Sequence, residues 1–414
     1  MRKKVAVLTL GCKVNQYESD AIVAGLGSEY DVTENLEFAD IYIINTCAVT
    51  NEAERKSRQA ITKAVKLNPN CKIYVCGCAS QNNPAQFKDK PNVVYVSGTA
   101  DKLALCSLDE IEENKAAELS APTAYEDTSV AATVRTRHFL KVQDGCNNFC
   151  SYCIIPLLRG RSRSRSLLSV LKEIEEVKER TKEIVLTGIN LSSYGKDIGL
   201  SLKELIKAIS KFDIRVRLGS LEVGVVDDEL LAALKELPGF CEHFHLSLQS
   251  GDDEVLKAMN RRYTTAEYAD KVALIRSYFP KAAITTDIIV GFPTETEEQF
   301  ENTCRFVKEV KFADIHVFSF SKRENTAAAK LQQLDPKTID ERQKKLSAIK
   351  WELKKAYNSS FIGVPLKVLF EAKESSGYIT GHSGNYITVY ALDASPGEIK
   401  TVVPSKIFED GLMA

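Results

Sequence analysis

The sequence predicts an α/β protein built from an N-terminal parallel sheet, a longer strand–helix series and a small all-β module. Three observations carry this prediction. Four short β-branched runs alternate with helical text in the first quarter of the chain, six more follow the same rhythm up to residue 320, and from Ile362 onward the text changes to short alternating segments with Gly and Asn turns. Strands separated by helices imply parallel pairing through right-handed crossovers, whereas closely spaced alternating strands imply a compact β-module.

The first run, VAVLTL (5–10), follows MRKK. Its apolar part is shorter than the roughly seven residues of a secretory core and polar KVNQYESD follows, so it reads as the first strand. IYIINT (41–46), KIYVCG (72–77) and VVYVSG (93–98) complete an N-terminal domain over residues 1–106. Residues 107–132 are acidic and rich in Ala, Ser, Thr and Pro, the text of a linker wrapping between domains. HFLKVQ (138–143), EIVLTG (183–188), RVRLGS (215–220), HFHLSLQ (243–249), ITTDIIVG (284–291) and DIHVFSF (314–320) then give six βα units within residues 133–360. They suit either an open doubly wound sheet or an incomplete barrel, and in both the working surface is the carboxyl edge of the strands. A charged helix over 335–360 is expected to pack on this series through Leu346, Ile349, Trp351 and Leu353. PLKVLFEA, GYITGHSGNYITVYA and EIKTVVPSKIF form the small module over 361–414.

Composition narrows the function. With 414 residues, 44% hydrophobic and 27% charged, the chain is neither disordered nor fibrous. Lys and Arg number 55 against 56 for Asp and Glu, so nucleic acid is not held by bulk charge and any basic surface must be local. No apolar run approaches the ~18 residues of a membrane span. A cytoplasmic protein is expected, with a monomer as the default. Eleven cysteines in a reducing compartment point to metal, cluster or catalytic thiols rather than disulfides.

The sharpest motif is GCNNFCSYCIIP, where Cys146, Cys150 and Cys153 have C-x3-C-x2-C spacing directly after the first strand of the second series. Thiols packed in one loop suit an iron–sulfur cluster. Three ligands instead of four would leave one iron open, and an open site indicates chemistry; the same logic separates catalytic from structural zinc. A structural zinc knuckle or three buried thiols are the alternatives, but no fourth Cys or His stands at zinc-finger spacing and Asn147, Asn148 and Ser151 make the loop polar. Cys12, Cys47 and Cys78 each lie just past the carboxyl end of an N-terminal strand. Those ends share one edge of a parallel sheet, so the three converge unless they are unrelated small residues in tight turns. Cys76 belongs inside the sheet, and Cys71, Cys106, Cys241 and Cys304 read as ordinary thiols.

The cysteine loop at the end of the first of six βα units resembles the radical S-adenosylmethionine (SAM) superfamily. That resemblance implies SAM chelated to the open iron and cleaved to a 5′-deoxyadenosyl radical. Two three-cysteine sites and a small C-terminal β-module resemble, over essentially the whole chain, the radical SAM methylthiotransferases. The phrases GCKVNQYES, NTCAVTNEAERKSRQ and VCGCASQ are similar to that family's N-terminal domain, and GCNNFCSYCIIPLLRGRSRSR, HLSLQSGDDEVLKAMNR, TTDIIVGFPTET and IHVFSFSKRENTAA to the branch acting on threonylcarbamoyladenosine in tRNA. The isopentenyl-adenosine branch and the branch modifying a ribosomal-protein aspartate are less similar. The family implies two 4Fe-4S clusters, one on Cys146, Cys150 and Cys153 making the radical, the other on Cys12, Cys47 and Cys78 carrying methylated sulfur. It also implies a sulfur source, a flavodoxin- or ferredoxin-like electron donor, a tRNA partner and a TRAM-like RNA-binding barrel, with GHSGNYITV as its turn and strand.

Position at strand ends and in the family pattern makes Thr187, Gly188, Ser220, Glu222, Gln249 and Asp287 candidates for cofactor binding. The run Arg159, Arg161, Arg163 and Arg165 is the densest positive text and a candidate phosphate contact, as affinity for RNA begins with the backbone. Lys322, Arg323, His382, Asn385 and Tyr386 are further RNA candidates by location. His243 and His245 share a strand face, where a core role fits better than metal binding. The sequence departs from the family pattern at Val223, where Pro is frequent, at Thr294, where Gly is common, and at Glu324-Asn325-Thr326, where a Gly-Thr pair is usual. A non-catalytic iron–sulfur RNA-binding protein is the rival reading; open irons would only invite oxidative damage there.

Overall fold

The computed structural model of the chain describes residues 2–112, 121–128, 130 and 135–414. β1 (Lys4–Thr9), β2 (Asp31–Thr33), β3 (Ile41–Thr46), β4 (Lys72–Gly77) and β5 (Val93–Val96) form a parallel sheet in the order β2-β1-β3-β4-β5. α1 (Lys13–Leu26), α2 (Asn51–Leu67), α3 (Cys78–Asn82) and α4 (Ala85–Lys88) follow strands β1, β3 and β4. Every residue of β3 is buried, so IYIINT shows no polar alternation because both its faces are covered. Tyr42, Ile44, Ile73 and Val75 pack on one face and Ile41, Ile43, Tyr74 and Cys76 on the other, which keeps Cys76 within the sheet.

The second series runs β6 (Arg137–Asp144), α5 (Ile155–Arg159), β7 (Arg163–Ser164), α6 (Leu167–Val177), β8 (Glu183–Gly188), α7 (Leu202–Ile209), β9 (Arg215–Leu218), α8 (Asp228–Glu236), β10 (His243–His245), α9 (Asp253–Ala258), α10 (Thr265–Tyr278), β11 (Ala283–Val290), α11 (Glu297–Val310) and β12 (Asp314–Ser319). Strands β6-β8-β9 and β10-β11-β12 are two parallel sheets, and the single bridges Val216 to Phe240 and Leu221 to Leu246 continue the order between them. One face of this array buries Leu140, Leu186, Val216, Phe244, Ile284 and Ile315 under the helices. HFHLSLQ is a shorter strand than its text predicts. Continuous pairing ends at His245, and beyond it single bridges remain at Leu246 and at Gln249, which has a φ of 76°.

α12 (Pro336–Ser359) buries Leu346 and Ile349 and half-buries Leu353 against the array. Trp351 departs from expectation. It is two positions beyond Ile349, roughly 200° round the helix, and lies 50% exposed between Lys350 and Lys354. Beyond it, β13 (Leu366–Lys373), β14 (Ile379–Ser383), β15 (Thr388–Ala391), β16 (Ile399–Val402), β17 (Lys406–Phe408) and β18 (Gly411–Met413) form a sheet of order β16-β13-β14-β15-β18-β17, antiparallel apart from β15 with β18. It closes on Val368, Phe370, Val389 and Leu412.

One carboxylate docks this module. The Nε groups of Arg215 and Arg217 donate to Glu183 at 3.0 and 2.8 Å, and their other N–H groups reach the carbonyls of Lys367, His382, Ser383 and Gly384. Tyr386 lies over the Arg217 guanidinium and stacks on His243 at 4.5 Å, while His382 pairs with Glu371. Burial pushes the Glu183 carboxyl up, but the two guanidiniums outweigh it and hold it at about 2.

Of the linker text, residues 113–120, 129, 131 and 132 lie outside the described residues. The described part is anchored. Tyr125 donates to the Lys141 carbonyl at 2.7 Å, Tyr17 and Arg165 both donate to the Thr128 carbonyl, and Val130 is buried. Among the described residues no helix is long and apolar enough to cross a membrane.

Two departures from the family pattern fall where the backbone enters the left-handed region. Thr294 has a φ of 71° and Asn325 one of 68°. Asn tolerates this conformation; a β-branched Thr does not. Thr294→Gly is therefore expected to raise stability by about 1 kcal/mol in denaturant titration. Glu183→Gln, which strands two buried guanidiniums, is expected to cost about 3–5 kcal/mol, read as an early unfolding step that releases Tyr386 fluorescence.

Candidate functional site

The first cysteine loop leaves β6 at Asp144, whose Oδ1 accepts from the Gly145 amide at 2.7 Å. Cys146 donates its amide to the Gly160 carbonyl, Cys153 donates to the Cys150 carbonyl, and Ser151 donates to the Met259 carbonyl. Asn260 clamps the loop from outside through the carbonyls of Asn148 and Phe149. The sulfurs also have donors: Arg261 Nη1 reaches Cys150 Sγ at 3.3 Å and Asn190 Nδ2 reaches Cys146 Sγ at 3.8 Å.

The second set gathers as parallel register demands. Cys12 caps the start of α1, Cys47 follows β3 directly and Cys78 opens α3. Gly11 and Gly77 make this approach feasible. Both have positive φ, and a Cβ on Gly11 would fall 2.7 Å from Cys47 Sγ, while one on Gly77 would fall 2.5 Å from the Thr46 carbonyl. Asn15 ties the turns of Cys12 and Cys47 together by donating to the carbonyls of Leu10 and Thr46.

The two sets share a wall. α5, the helix that ends the first loop, packs Ile154 and Leu158 against Cys78 and Ala79, and Arg159 at its end is fully buried. Arg159 Nε donates to Cys78 Sγ at 3.4 Å, Nη2 to Asn15 at 2.7 Å, and Nη1 to Glu18 and Asp144 at 2.8 and 3.0 Å. Lys141 joins both carboxylates and Lys102 joins Glu18. Burial opposes ionisation of Glu18, yet Arg159, Lys102 and Lys141 hold it well below the usual carboxylate range.

These contacts correct the expectation for the arginine run. Arg159, Arg163 and Arg165 are not a phosphate-facing patch. Arg163 donates to the carbonyls of Pro122, Arg159 and Arg161, and Arg165 is held by buried Glu173 and Tyr17 and by exposed Asp127; the three arginines themselves are out of solvent. Arg161 alone of the four is exposed, over the Phe149 ring. The same correction applies at the module: Asn385 is buried and donates to Tyr357, and His382 and Tyr386 stack on each other at the docking face. Lys322 is exposed beside a cavity of ≈ 880 Å³ also lined by Arg58, Lys90 and Arg323, the last of them buried against Glu54.

A cavity of ≈ 230 Å³ lies between the cysteine sets, with Cys153 and Tyr152 on one wall and Val49 and Thr50, just past Cys47, on another. Gln249, Asp287, Ile289, Phe318 and Phe320 complete it. A second cavity of ≈ 410 Å³ on the other side of the first loop brings Glu222, Arg261 and Asn148 to Cys150. Thr187 and Gly188 lie on β8 beside Lys141 and Gln143, and Ser220 is exposed; none of the three lines either cavity. Burial raises the Asp287 carboxyl, but the bond from His245, 3.2 Å away, keeps it below the usual range. His243 is buried on Thr285 and Tyr386, a core role.

The residues fit iron–sulfur clusters. Among the described residues the ligand atoms that meet within 4.8 Å are those of His245, Asp287 and His316, where Lys13 is close enough to act on Asp287. Cys12 and Cys78 act on the Cys47 thiol, and Cys146 and Cys150 on that of Cys153, so the thiols of each set are neighbours that could each bind a different iron of one cluster. Burial pushes Cys47 and Cys153 up to about 12, so both are protonated until a metal centre displaces the protons. Around Cys78, Arg159, Arg163, Lys102 and Lys141 outnumber Glu18, Asp144 and the half-buried Glu126, and this positive surplus suits an anionic group on Cys12, Cys47 and Cys78. Asn15, Glu18, Asn190 and Arg261 escaped the sequence reading, although Asn15 and Glu18 lie in the quoted GCKVNQYES and Arg261 ends the quoted HLSLQSGDDEVLKAMNR.

Arg159→Met is expected to destabilise the chain by about 3–5 kcal/mol, because Glu18 and Asp144 lose one of their two shared partners and keep only Lys141 in common, and to deplete iron from the second set. Arg161→Ala is expected to stay within about 0.5 kcal/mol of the parent in the same thermal and iron assays.

Residues 4–98 match the uncharacterized protein family UPF0004, and residues 140–307 match the radical SAM superfamily. A threonylcarbamoyladenosine tRNA methylthiotransferase, MtaB, from Bacillus subtilis is 38% identical over 98% of this chain and 94% of its own length. A tRNA-2-methylthio-N(6)-dimethylallyladenosine synthase from Acetivibrio thermocellus is 35% identical over 95% of this chain and 87% of its own. Among solved structures, the radical S-adenosylmethionine methyltransferase TsrM from Kitasatospora setae superposes with a TM-score of 0.55 and 15% identity over 80% of this chain and 77% of that one, a likeness of fold. Two three-cysteine sets, one reaching a shared cavity through Cys153 and the other through the turn just past Cys47, in a chain that aligns with such relatives over nearly its whole length, make this protein a member of the radical SAM methylthiotransferase family.

Proposed function

We propose that this protein converts threonylcarbamoyladenosine beside the anticodon of tRNA to its 2-methylthio form. The observation that carries the reading is the cavity walled by Cys153 and by the turn after Cys47, in a chain 38% identical to a relative named for that reaction. The enzyme uses S-adenosyl-L-methionine and 4Fe-4S clusters, which when bound supply radical cleavage of the sulfonium and a carrier for sulfur. Cys146, Cys150 and Cys153 would hold one cluster, and Cys12, Cys47 and Cys78 the other.

The chain's own groups position and protect. Glu222 and Arg261, paired beside Cys150, offer opposite charges to the zwitterionic end of an amino-acid cofactor. Gln249 and Asp287 offer hydrogen bonds to its hydroxyls from the neighbouring cavity. Phe318, Phe320, Ile289 and Tyr152 present flat apolar surface that excludes water and stacks an unpaired base. Lys322 and Lys90, both exposed beside the ≈ 880 Å³ cavity, the half-buried Arg58 between them, and Arg161 on Phe149 are the groups that would meet RNA phosphates. We place the division of the chain at 1–106, 107–132, 133–360 and 361–414, with the third part an incomplete (βα)6 barrel and the last a TRAM-like barrel. A flavodoxin- or ferredoxin-like donor and a sulfur source complete the reaction, and reduced thiols with a tRNA substrate suit the cytoplasm.

A second reading keeps the chemistry and takes dimethylallyl-adenosine instead. The apolar lining of the ≈ 230 Å³ cavity favours it. Nucleoside mass spectrometry separates the two: anaerobically reconstituted protein with SAM, sulfide and reductant is expected to add methylthio to threonylcarbamoyladenosine in tRNA, and addition only to the dimethylallyl substrate would transfer the assignment. Cys150→Ala is expected to abolish 5′-deoxyadenosine formation. Cys47→Ala is expected to retain it while methylthiolation stops, and full methylthiolation by that variant would break the two-cluster assignment.

A further inference from the structure

A buried cation in the wall of the inter-cysteine cavity has two donors without acceptors. Arg323 follows β12 and is 4% exposed. Its Nη1 pairs with Glu54 at 3.0 Å, but Nε and Nη2 have no hydrogen-bond partner and are shut off from water. These two nitrogens share one edge of the guanidinium, the edge that takes both oxygens of a carboxylate or phosphate side-on. A buried ion pair ordinarily uses that edge. Here Glu54 meets the opposite nitrogen and divides its Oε1 with Asn82 at 3.2 Å, which leaves the fork open.

The arrangement is held in place. Ser321 accepts from the Asn51 amide at 3.1 Å, and the Arg323 carbonyl accepts from the Thr326 hydroxyl at 2.7 Å, so the loop is fastened to α2 on one side and closed on itself on the other. Arg323 lies between the two cavities: it lines the ≈ 230 Å³ one beside Thr50, Phe318 and Cys153, where the carboxylate in the lining, Asp287, is already engaged by His245, and also the ≈ 880 Å³ one beside Lys322. Unpaired buried donors on a charged group are costly to keep, so their persistence calls for a partner that arrives with a ligand.

We propose that Arg323 is the oxyanion receptor for the substrate nucleotide, taking the carboxylate of an adenosine N6 substituent through Nε and Nη2. The flat apolar walls would take the base and the single cationic edge its acid group, a division that discriminates a carboxylate-bearing substituent from a hydrocarbon one. This rests on the tRNA methylthiotransferase reading. The phosphate of the same nucleotide is the other source of the same chemistry.

The test compares reconstituted parent, Arg323→Gln and Arg323→Lys for binding and KM with two tRNAs identical except for threonylcarbamoyladenosine or plain adenosine at the modified position. Arg323→Gln is expected to weaken binding of the threonylcarbamoyl tRNA about ten- to a hundredfold and to leave the plain tRNA unchanged. Arg323→Lys keeps a cation beside Glu54 but has no fork, so it is expected to lose most of the same discrimination while retaining the parent melting temperature and iron content. Equal weakening on both tRNAs assigns the fork to the phosphate and keeps Arg323 as the receptor. Parent affinity for both tRNAs in a folded, iron-loaded Arg323→Lys variant overturns the proposal. If the parent itself neither prefers nor modifies the threonylcarbamoyl tRNA, the substrate reading falls, and the plain-tRNA arm still decides whether Arg323 meets phosphate.

Discussion

The buried charge cluster centred on Arg159 is the constraint on which the site depends. A guanidinium with no access to water must find acceptors for its donors, and here they come from three parts of the chain: Glu18 and Asn15 on α1, Asp144 at the end of β6, and the sulfur of Cys78. Each partner is next to a cysteine turn. Asp144 starts the loop of Cys146, Asn15 and Glu18 sit about one and two turns beyond Cys12, and Cys78 is itself a candidate ligand. Geometry at one set of thiols is thereby fixed with respect to the other, which two domains touching through apolar surface alone would not achieve.

The C-terminal module is attached by the same kind of chemistry with a different balance. Glu183 orients Arg215 and Arg217, and most of their remaining donors go to backbone carbonyls. Such a joint reads the shape of the partner's main chain rather than its side chains, so the exposed side chains of the module are free to vary with whatever it contacts. Tyr386, between His243, His382 and Arg217, is the exception and fills the joint with flat surface.

The cysteine sites were legible because they follow from rules that are local in sequence. C-x3-C-x2-C needs only one loop, and Cys12, Cys47 and Cys78 need only the fact that parallel strands end at one edge. The arginine run was not legible. Arg159, Arg163 and Arg165 read as a charged, solvated stretch, and nothing nearby shows that Glu18, 141 positions earlier, and Tyr17, 148 positions earlier, cover them. Arg323 was singled out for its location, but the open edge of its guanidinium depends on how Glu54 approaches, which no spacing encodes. Trp351 failed for a simpler reason: a helix period places it opposite Ile349, and hydrophobicity alone does not say which side faces the core.

The separation between Glu18 and Arg159 also sets an order of events during synthesis. The ribosome releases the N-terminal sheet well before α5, so for that interval α1 carries a carboxylate meant for the interior with its arginine not yet made. The sheet can pair its strands in that time, but the turn of Cys78 lacks the donor that later aims at its sulfur. Chain connectivity thus withholds the donor to Cys78 until residue 159 has been made, and a nascent fragment cut short before it would leave that sulfur without its Arg159 contact.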